Sequence, residues 1–329
     1  MTAPACAETL RIATYNIEMN RAGPGLLLHD IQKGEAPAIA AAVQTVSVLK
    51  ADVLVLTGFD YDLDLVALSA FADLLAAQGQ SYPYKFALRP NTGVATGLDL
   101  NGDGKLGDPG DAQGWGRFSG EGGMAVLSRL PIVENEVRDF SGFLWRDLPG
   151  ALLFDGMTDA AKTVQRLSTT GHWDVPVTLP DRTALHLLLW YATPPVFDGP
   201  EDRNGRRNHD EAAFWVALLD GALPMPAPAL PFVVIGDGNL DPLDGDGISD
   251  AILALIDHPS LQRTGNNGDT ADFSAKNGPG RLQVDYVLPS RDLTVTGAGV
   301  LWPNDGDPLA NVFAAASRHR PVWVDIELP

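Results

Sequence analysis
The stretch FVVIGDGNLDP, Phe232 to Pro242, places four apolar residues directly before Gly-Asp-Gly-Asn. A short apolar run bounded by turn residues reads as a buried strand, and a buried strand needs covering layers. The segment therefore carries Asp237 and Asn239 to a strand end within a layered fold. The pattern recurs. LRIATYNIE (10–18) reads as a strand ending near Asn16, and ADVLVLTGFD (51–60) as a buried strand ending at Asp60. LHLLLWYATPPVFDG (185–199) is a strand stopped by Pro194 and Pro195, which remove successive ladder donors.

Helical spacing covers Ala36 to Lys50, Leu63 to Gln78 and NHDEAAFWVALLDGA (208–222). A short helix is expected from Ser249 to Ile256, with Ser249 or Asp250 as its cap. GGMAVLSRLPIVENEVRDF (122–140) predicts a hairpin turning at Leu130-Pro131. RLQVDYVLPS, LTVTGAGVLW and RPVWVDIEL are strand-like, and Asp147 to Gln165 has no decisive pattern. Asn91 to Gly123, dense in Gly and Asp, is too long for an ordinary connection and reads as functional or ligand-ordered. With no linker and no solenoid period, a single domain over 10–329 is expected. Its class is mixed α/β, two packed sheets with helices outside.

Charge narrows the partners. Forty-two acidic against 23 basic residues give a net charge of −19, which repels a phosphate backbone and disfavours nucleic acid. The single cysteine, Cys6, excludes an internal disulfide. No apolar run approaches the roughly 18 residues of a membrane span. Residues 1–9 read either as a disordered Ala/Pro tail or, from Ala5-Cys6-Ala7, as the remnant of a secretory signal, implying a periplasmic or extracellular protein. The oligomeric state is not legible.

Asp and Asn are hard oxygen ligands, and residues two apart on an extended segment point to the same side, so Asp237 and Asn239 are candidate ligands for Mg²⁺ or Ca²⁺. Asn16, Asp60, Asp285 and His319 recur at strand ends, as candidate ligands or bases.

In order and spacing, RIATYNIE, ADVLVLTGFDYD, GGMAVLSRLPI, LHLLLWYATPP, IGDGNLDP, VDYVLPS and SRHRPVWVDI resemble the endonuclease/exonuclease/phosphatase family of metal-dependent phosphoesterases. The resemblance implies a four-layer α-β-β-α sandwich of two mainly antiparallel sheets. It implies that Asn16 lies in the metal and phosphate site, with Mg²⁺ or Mn²⁺ in the cleft. Asp237 and Asn239 then orient the water or the phosphate oxygens, and Asp285 and His319 form a base dyad. Three positions depart from the family. Gly58 stands where a metal-binding Glu is usual, with Asp60 as the nearest replacement; Arg318 replaces an Asp beside His319; Tyr191 stands where most members have a His. Arg318 and Tyr191 then become phosphate donors, and metal binding is expected to be weak or to require the substrate's phosphate. The implied function is hydrolysis of a small or lipid-linked phosphoester. The alternative is a non-catalytic, calcium-stabilised anion-binding protein.

In DLNGDGKLGD, Asp99, Asn101 and Asp103 match the first, third and fifth positions of a calcium loop, with the Lys105 carbonyl at the seventh and Asp108 or Asp111 to close the shell. Asp244, Asp246 and Asp250 repeat the idea, although a helix cap explains Asp250 equally. Arg203, Arg206 and Arg207 form a basic cluster that binds an anion or pairs internally with Glu201, Asp202, Asp210 and Glu211. His209 is expected at the surface or as a cap, and His172 and His186 as packing residues. Trp145, Trp173, Trp190 and Trp302 are expected in the core.

Overall fold
The computed structural model describes residues 9–265, 268–275, 278–304 and 306–328. Apart from Thr9, the proposed tail or signal remnant lies outside the described residues, as does Cys6. In chain order the elements are β1 (Thr9–Met19), α1 (Leu26–Lys33), α2 (Pro37–Leu49), β2 (Val53–Phe59), α3 (Val66–Ala77), β3 (Tyr84–Phe86), β4 (Gly123–Ser128) and β5 (Arg138–Asp139). There follow α4 (Asp159–Val164), β6 (Gly171–Thr178), β7 (Ala184–Tyr191), α5 (Arg203–Leu219), β8 (Phe232–Asp237), α6 (Asp250–Ile256), β9 (Ala271–Asp272) and β10 (Arg281–Leu282). The chain closes with β11 (Asp285–Pro289), β12 (Val295–Val300), α7 (Pro308–Ala316) and β13 (Val322–Glu327).

One sheet runs β12-β13-β1-β2-β4-β3 and the other β11-β8-β7-β6-β5, with β9 and β10 as a separate hairpin. Pairing is antiparallel except for β1 with β2 and β7 with β8. The period of two then decides what each strand covers. Ile12, Val55 and Val126 meet Leu187, Leu189 and Ile235 between the sheets, while Ala13, Tyr15 and Ile17 pack beneath the helices on the other face. On the far side Leu188, Val234 and Leu288 pack with Phe214 and Ile252. The result is four layers, α-β-β-α.

This alternation also positions the site. Asn16 shares a face with Ile12, Asp237 with Ile235, Tyr191 with Leu189, and Asp285 with Val287. All four therefore face the gap between the sheets at one end of the sandwich. The end of β8 depends on glycine. Gly236 has φ 146°, and a Cβ there would lie 2.0 Å from the Trp190 carbonyl oxygen.

Several expectations change. The predicted hairpin at Leu130-Pro131 is a crossing between sheets. β4 pairs with β2 and β3, whereas the chain beyond Pro131 bonds to the second sheet through Val133 N–H to the Pro176 carbonyl and Thr178 N–H to the Pro131 carbonyl. Helix α5 begins at Arg203, five residues before the expected start, and brings the arginine cluster onto its first turns. The helix from Leu63 is a short 3-10 turn that breaks at Asp64 and Leu65 before α3. Ser249 occupies the cap of α6 without a side-chain bond. Strand β6 and helices α1, α4 and α7 are new. Trp145, Trp173 and Trp190 are fully buried, whereas Trp302 is half-buried under the guanidinium groups of Arg281 and Arg320.

Candidate active site
Antiparallel pairing of β11 with β8 sets Asp285 opposite Asp237, and parallel pairing of β7 with β8 sets Tyr191 beside Asp237. Asp285 thus opens its strand rather than ending one, and His319 precedes β13; antiparallel strands return both to the same rim as Asp237. His319 Nδ1 lies 2.9 Å from Asp285 Oδ2 and 3.9 Å from Asp237 Oδ2. Asn16 Nδ2 donates to Asp237 Oδ2 at 2.7 Å and lies 3.4 Å from the Tyr191 hydroxyl. Asp237, Asp285 and His319 are the one group of three acid or imidazole side chains among the described residues whose ligand atoms lie within 4.8 Å of one another.

Burial and mutual charge set the protonation states. Burial alone would lower the His319 pKa, but the Asp285 charge and hydrogen bond, then Asp237, outweigh it and raise it to about 9. Asp237 is pushed up by burial and then by the Asp285 charge. Tyr191 is pushed up by burial and by Asp237, so its hydroxyl keeps its proton and can donate. Asp285 Oδ1 is buried without a partner among the described residues, an unsatisfied acceptor of the kind that marks functional sites.

Other candidates stand elsewhere or are engaged. Asn239 is in a left-handed turn, φ 47°, rather than on extended backbone; its amide donates to the Ala192 carbonyl, which ties the ends of β7 and β8 together. Asp60, the nearest replacement for the missing Glu, is engaged by backbone donors. Its carboxylate accepts from Arg21 N–H and Gly122 N–H, and burial raises its pKa to about 6. Arg318 pairs with Glu18, a residue the sequence reading passed over: Arg318 Nε donates to Glu18 Oε1 at 2.7 Å and its backbone N–H to Oε2 at 2.8 Å. Burial works against the Glu18 carboxylate, yet the bonds from Arg318 hold its pKa below the ordinary value. Glu18 lies two residues beyond Asn16, the same spacing that had singled out Asp237 and Asn239. Phe273, on the loop joining β9 to β10, was also missed; its ring packs edge-on to His319 at 5.4 Å and lies under Arg318 at 5.1 Å.

The Asp99 loop is an assembly of turns. Asp99 accepts from Gly102 and Gly104 N–H, Asp103 from Lys105 N–H, Asp111 from Leu100 and Gly107 N–H, and Asn101 donates to Asp108. Among the described residues no three of its acidic groups gather their ligand atoms as Asp237, Asp285 and His319 do. Asp250 goes instead to His209, which is half-buried between Asp210 and Asp250 rather than at the surface. Arg207 is buried and donates to the carbonyls of Gln113, Arg166, Leu167 and Ser168, Arg203 to that of Leu100, and Arg206 to that of Glu201. These bonds of the cluster go to carbonyls, while the buried Glu211 carboxylate interacts with the Arg207 charge. His172 and His186 bond to Ser168 and Asp174.

A model of the endonuclease/exonuclease/phosphatase family matches residues 13–319. The chain belongs to the endonuclease/exonuclease/phosphatase family. Among solved structures, a family member from Beutenbergia cavernae shares 19% identity at a TM-score of 0.58, over 97% of this chain and 72% of that one. One from Bacteroides thetaiotaomicron shares 14% at 0.53, over 98% and 99% of the two chains. Sphingomyelinase C from Streptomyces griseocarneus shares 18% at 0.51, over 97% and 99%. At these identities the likeness is one of fold. No curated protein matches the chain.

Divalent-metal dependence is general in the endonuclease/exonuclease/phosphatase family, so the donor set here is a test. It fits a resident Mg²⁺ or Mn²⁺ poorly, leaving one unengaged oxygen among its carboxylates, Asp285 Oδ1. Both oxygens of Asp237 accept hydrogen bonds, from Asn239 N–H and Asn16, Asp285 holds His319, and Glu18 holds Arg318. Gly58 supplies no carboxylate, and its backbone resists one: φ is 69°, and a Cβ would lie 2.5 Å from Asn16 Oδ1. Gly58→Ala is accordingly expected to cost about 1–3 kcal/mol in urea unfolding, the scale of a strained backbone site. An unchanged midpoint and slope would contradict this geometry.

Proposed function
We propose that the chain is a phosphoric ester hydrolase acting on a small or lipid-linked phosphoester. The observation that carries the reading is the His319–Asp285 contact of 2.9 Å beside Asp237 and Asn16. Asp285 accepts from Nδ1 and fixes the ring, which leaves Nε2 to take a proton from attacking water. The Asn16 amide, the Tyr191 hydroxyl and the Arg318 guanidinium are donors for phosphoryl oxygens, where positioning and charge stabilisation supply most of the catalysis. Asp237 holds the Asn16 amide in place and adds to the charge that keeps His319 basic. A carboxylate-oriented imidazole is the arrangement that general-base catalysis uses, which favours catalysis over the non-catalytic alternative.

The test is hydrolysis of bis(4-nitrophenyl) phosphate and of sphingomyelin vesicles, lipid being included because a sphingomyelinase shares the fold. The ring must lose its proton to act as base, so kcat/KM is expected to climb with pH and level off near pH 9, where His319 titrates. Asp285→Asn removes the largest influence raising that pKa and moves the rising limb to lower pH. The same shift bears on stability. A raised pKa means that the ring's ion pairing stabilises the fold fully below about pH 6.5, the free-histidine value. That contribution is lost as pH rises through about 9. No turnover of either substrate, or a flat pH profile, would overturn the assignment.

A further inference from the structure
The position of the absent metal ligand and the pairing of Arg318 bear on each other. A divalent ion in a phosphoesterase cleft supplies fixed positive charge against the phosphoryl oxygens. Here a fixed positive charge adjoins the dyad on a side chain. Arg318 adjoins His319 in sequence, and Glu18 orients it through Nε and through its backbone N–H. Phe273 supports the guanidinium from one face. Glu18 is itself anchored: it accepts from the Ser317 hydroxyl, and its backbone sits at φ 48°, a strained value for a residue with a side chain. Among the described residues Arg318 Nη1 has no partner, and the side chain is 60% exposed, so a donor remains free on the solvent side. Counting charges, Asp285, Asp237 and Glu18 act on His319, and Glu18 also pairs with Arg318. Arg318 thus offsets the carboxylate that would otherwise raise the pull on a cation.

We infer that Arg318, oriented by Glu18 and Phe273, takes the place of the divalent ion, and that this site binds a phosphoryl group without metal. The inference rests on the phosphoester reading and deepens it. A guanidinium suits the role because it stays charged and, with Nε and Nη2 held by Glu18 Oε1, still turns Nη1 outward to donate to a phosphoryl oxygen.

Inorganic phosphate is titrated calorimetrically into the full chain, once in EDTA and once in Mg²⁺. The wild-type affinities are expected to agree within about twofold, and Arg318→Ala to weaken both by about tenfold or more, the scale of a charge-assisted hydrogen bond. Arg318→Lys, which keeps the charge but loses the fork, is expected to fall between. In a second measurement Mn²⁺ binding is followed by electron paramagnetic resonance. Arg318→Ala, with Glu18 released, is expected to bind Mn²⁺ about tenfold more tightly than wild type, and Glu18→Gln added to it to cancel the gain. Phosphate binding that requires Mg²⁺, unchanged affinity in Arg318→Ala, or no gain of Mn²⁺ affinity in that variant would each overturn the inference. Both readouts are binding, so their failure leaves hydrolysis through His319 standing. Absence of turnover with phosphate binding intact would sink the hydrolase reading alone.

Discussion

Replacing His319 with Ala is expected to lower kcat for phosphodiester hydrolysis by about 10²- to 10⁴-fold, the contribution of a positioned general base. The ring is the one group at the rim that Asp285 orients for proton transfer, and it lies between two carboxylates set directly opposite on β11 and β8. Its removal leaves those carboxylates facing each other without a cation, so some stability is lost as well, and circular dichroism melts must accompany the kinetics. Adding free imidazole separates the two effects. Partial rescue of kcat marks a missing base, whereas a merely loosened fold gains nothing from it. Full activity in a folded His319→Ala protein would remove the mechanism.

The second large effect is on stability. Arg207→Met is expected to cost about 3–5 kcal/mol, the range for leaving a buried charge without its partner. Arg207 is 6% exposed, and its guanidinium joins the carbonyls of Gln113, Arg166, Leu167 and Ser168. One turn further along α5, Glu211 is wholly buried and accepts from Thr169 and Thr193 N–H; burial raises its pKa to about 7, and the Arg207 charge opposes that rise. Without Arg207 four carbonyls and this carboxylate lose their cation together. Urea unfolding gives the loss, and phosphate titration at a temperature where the variant is folded is expected to give an unchanged affinity. A stable variant with weakened phosphate binding would return Arg207 to the anion site.

That contrast shows where the sequence was legible. Asn16, Asp237, Asp285 and His319 were found because apolar alternation fixes which face a strand residue takes, and a polar residue continuing an apolar face must emerge at the rim; Tyr191 came from the family resemblance alone. The alternation did not tell which end of a strand Asp285 occupied, since that depends on a partner strand distant in sequence. It left Arg207 between anion binding and pairing with neighbouring carboxylates, because the carbonyls that it serves cannot be read from its neighbours in sequence. Those carbonyls lie 39 to 94 residues away. Glu18 was within reach of the argument applied to Asp237 and Asn239, but its partner, 300 residues on, was not. Strand β6 was passed over although Trp173, Val175 and Val177 alternate with His172, Asp174 and Pro176, because Gly171 and an interior Pro176 argue against a strand.

Strand β13 lies between β12 and β1, and its register joins Thr9 to Glu327. The largest sheet is therefore closed in its interior by the two segments farthest apart in sequence, a pairing whose loop entropy must be met before any contact rewards it. Folding is expected to be slow and limited by this closure. Until β13 docks, His319 has no fixed place opposite Asp285, so chemical competence should arrive with the last cooperative step rather than with collapse.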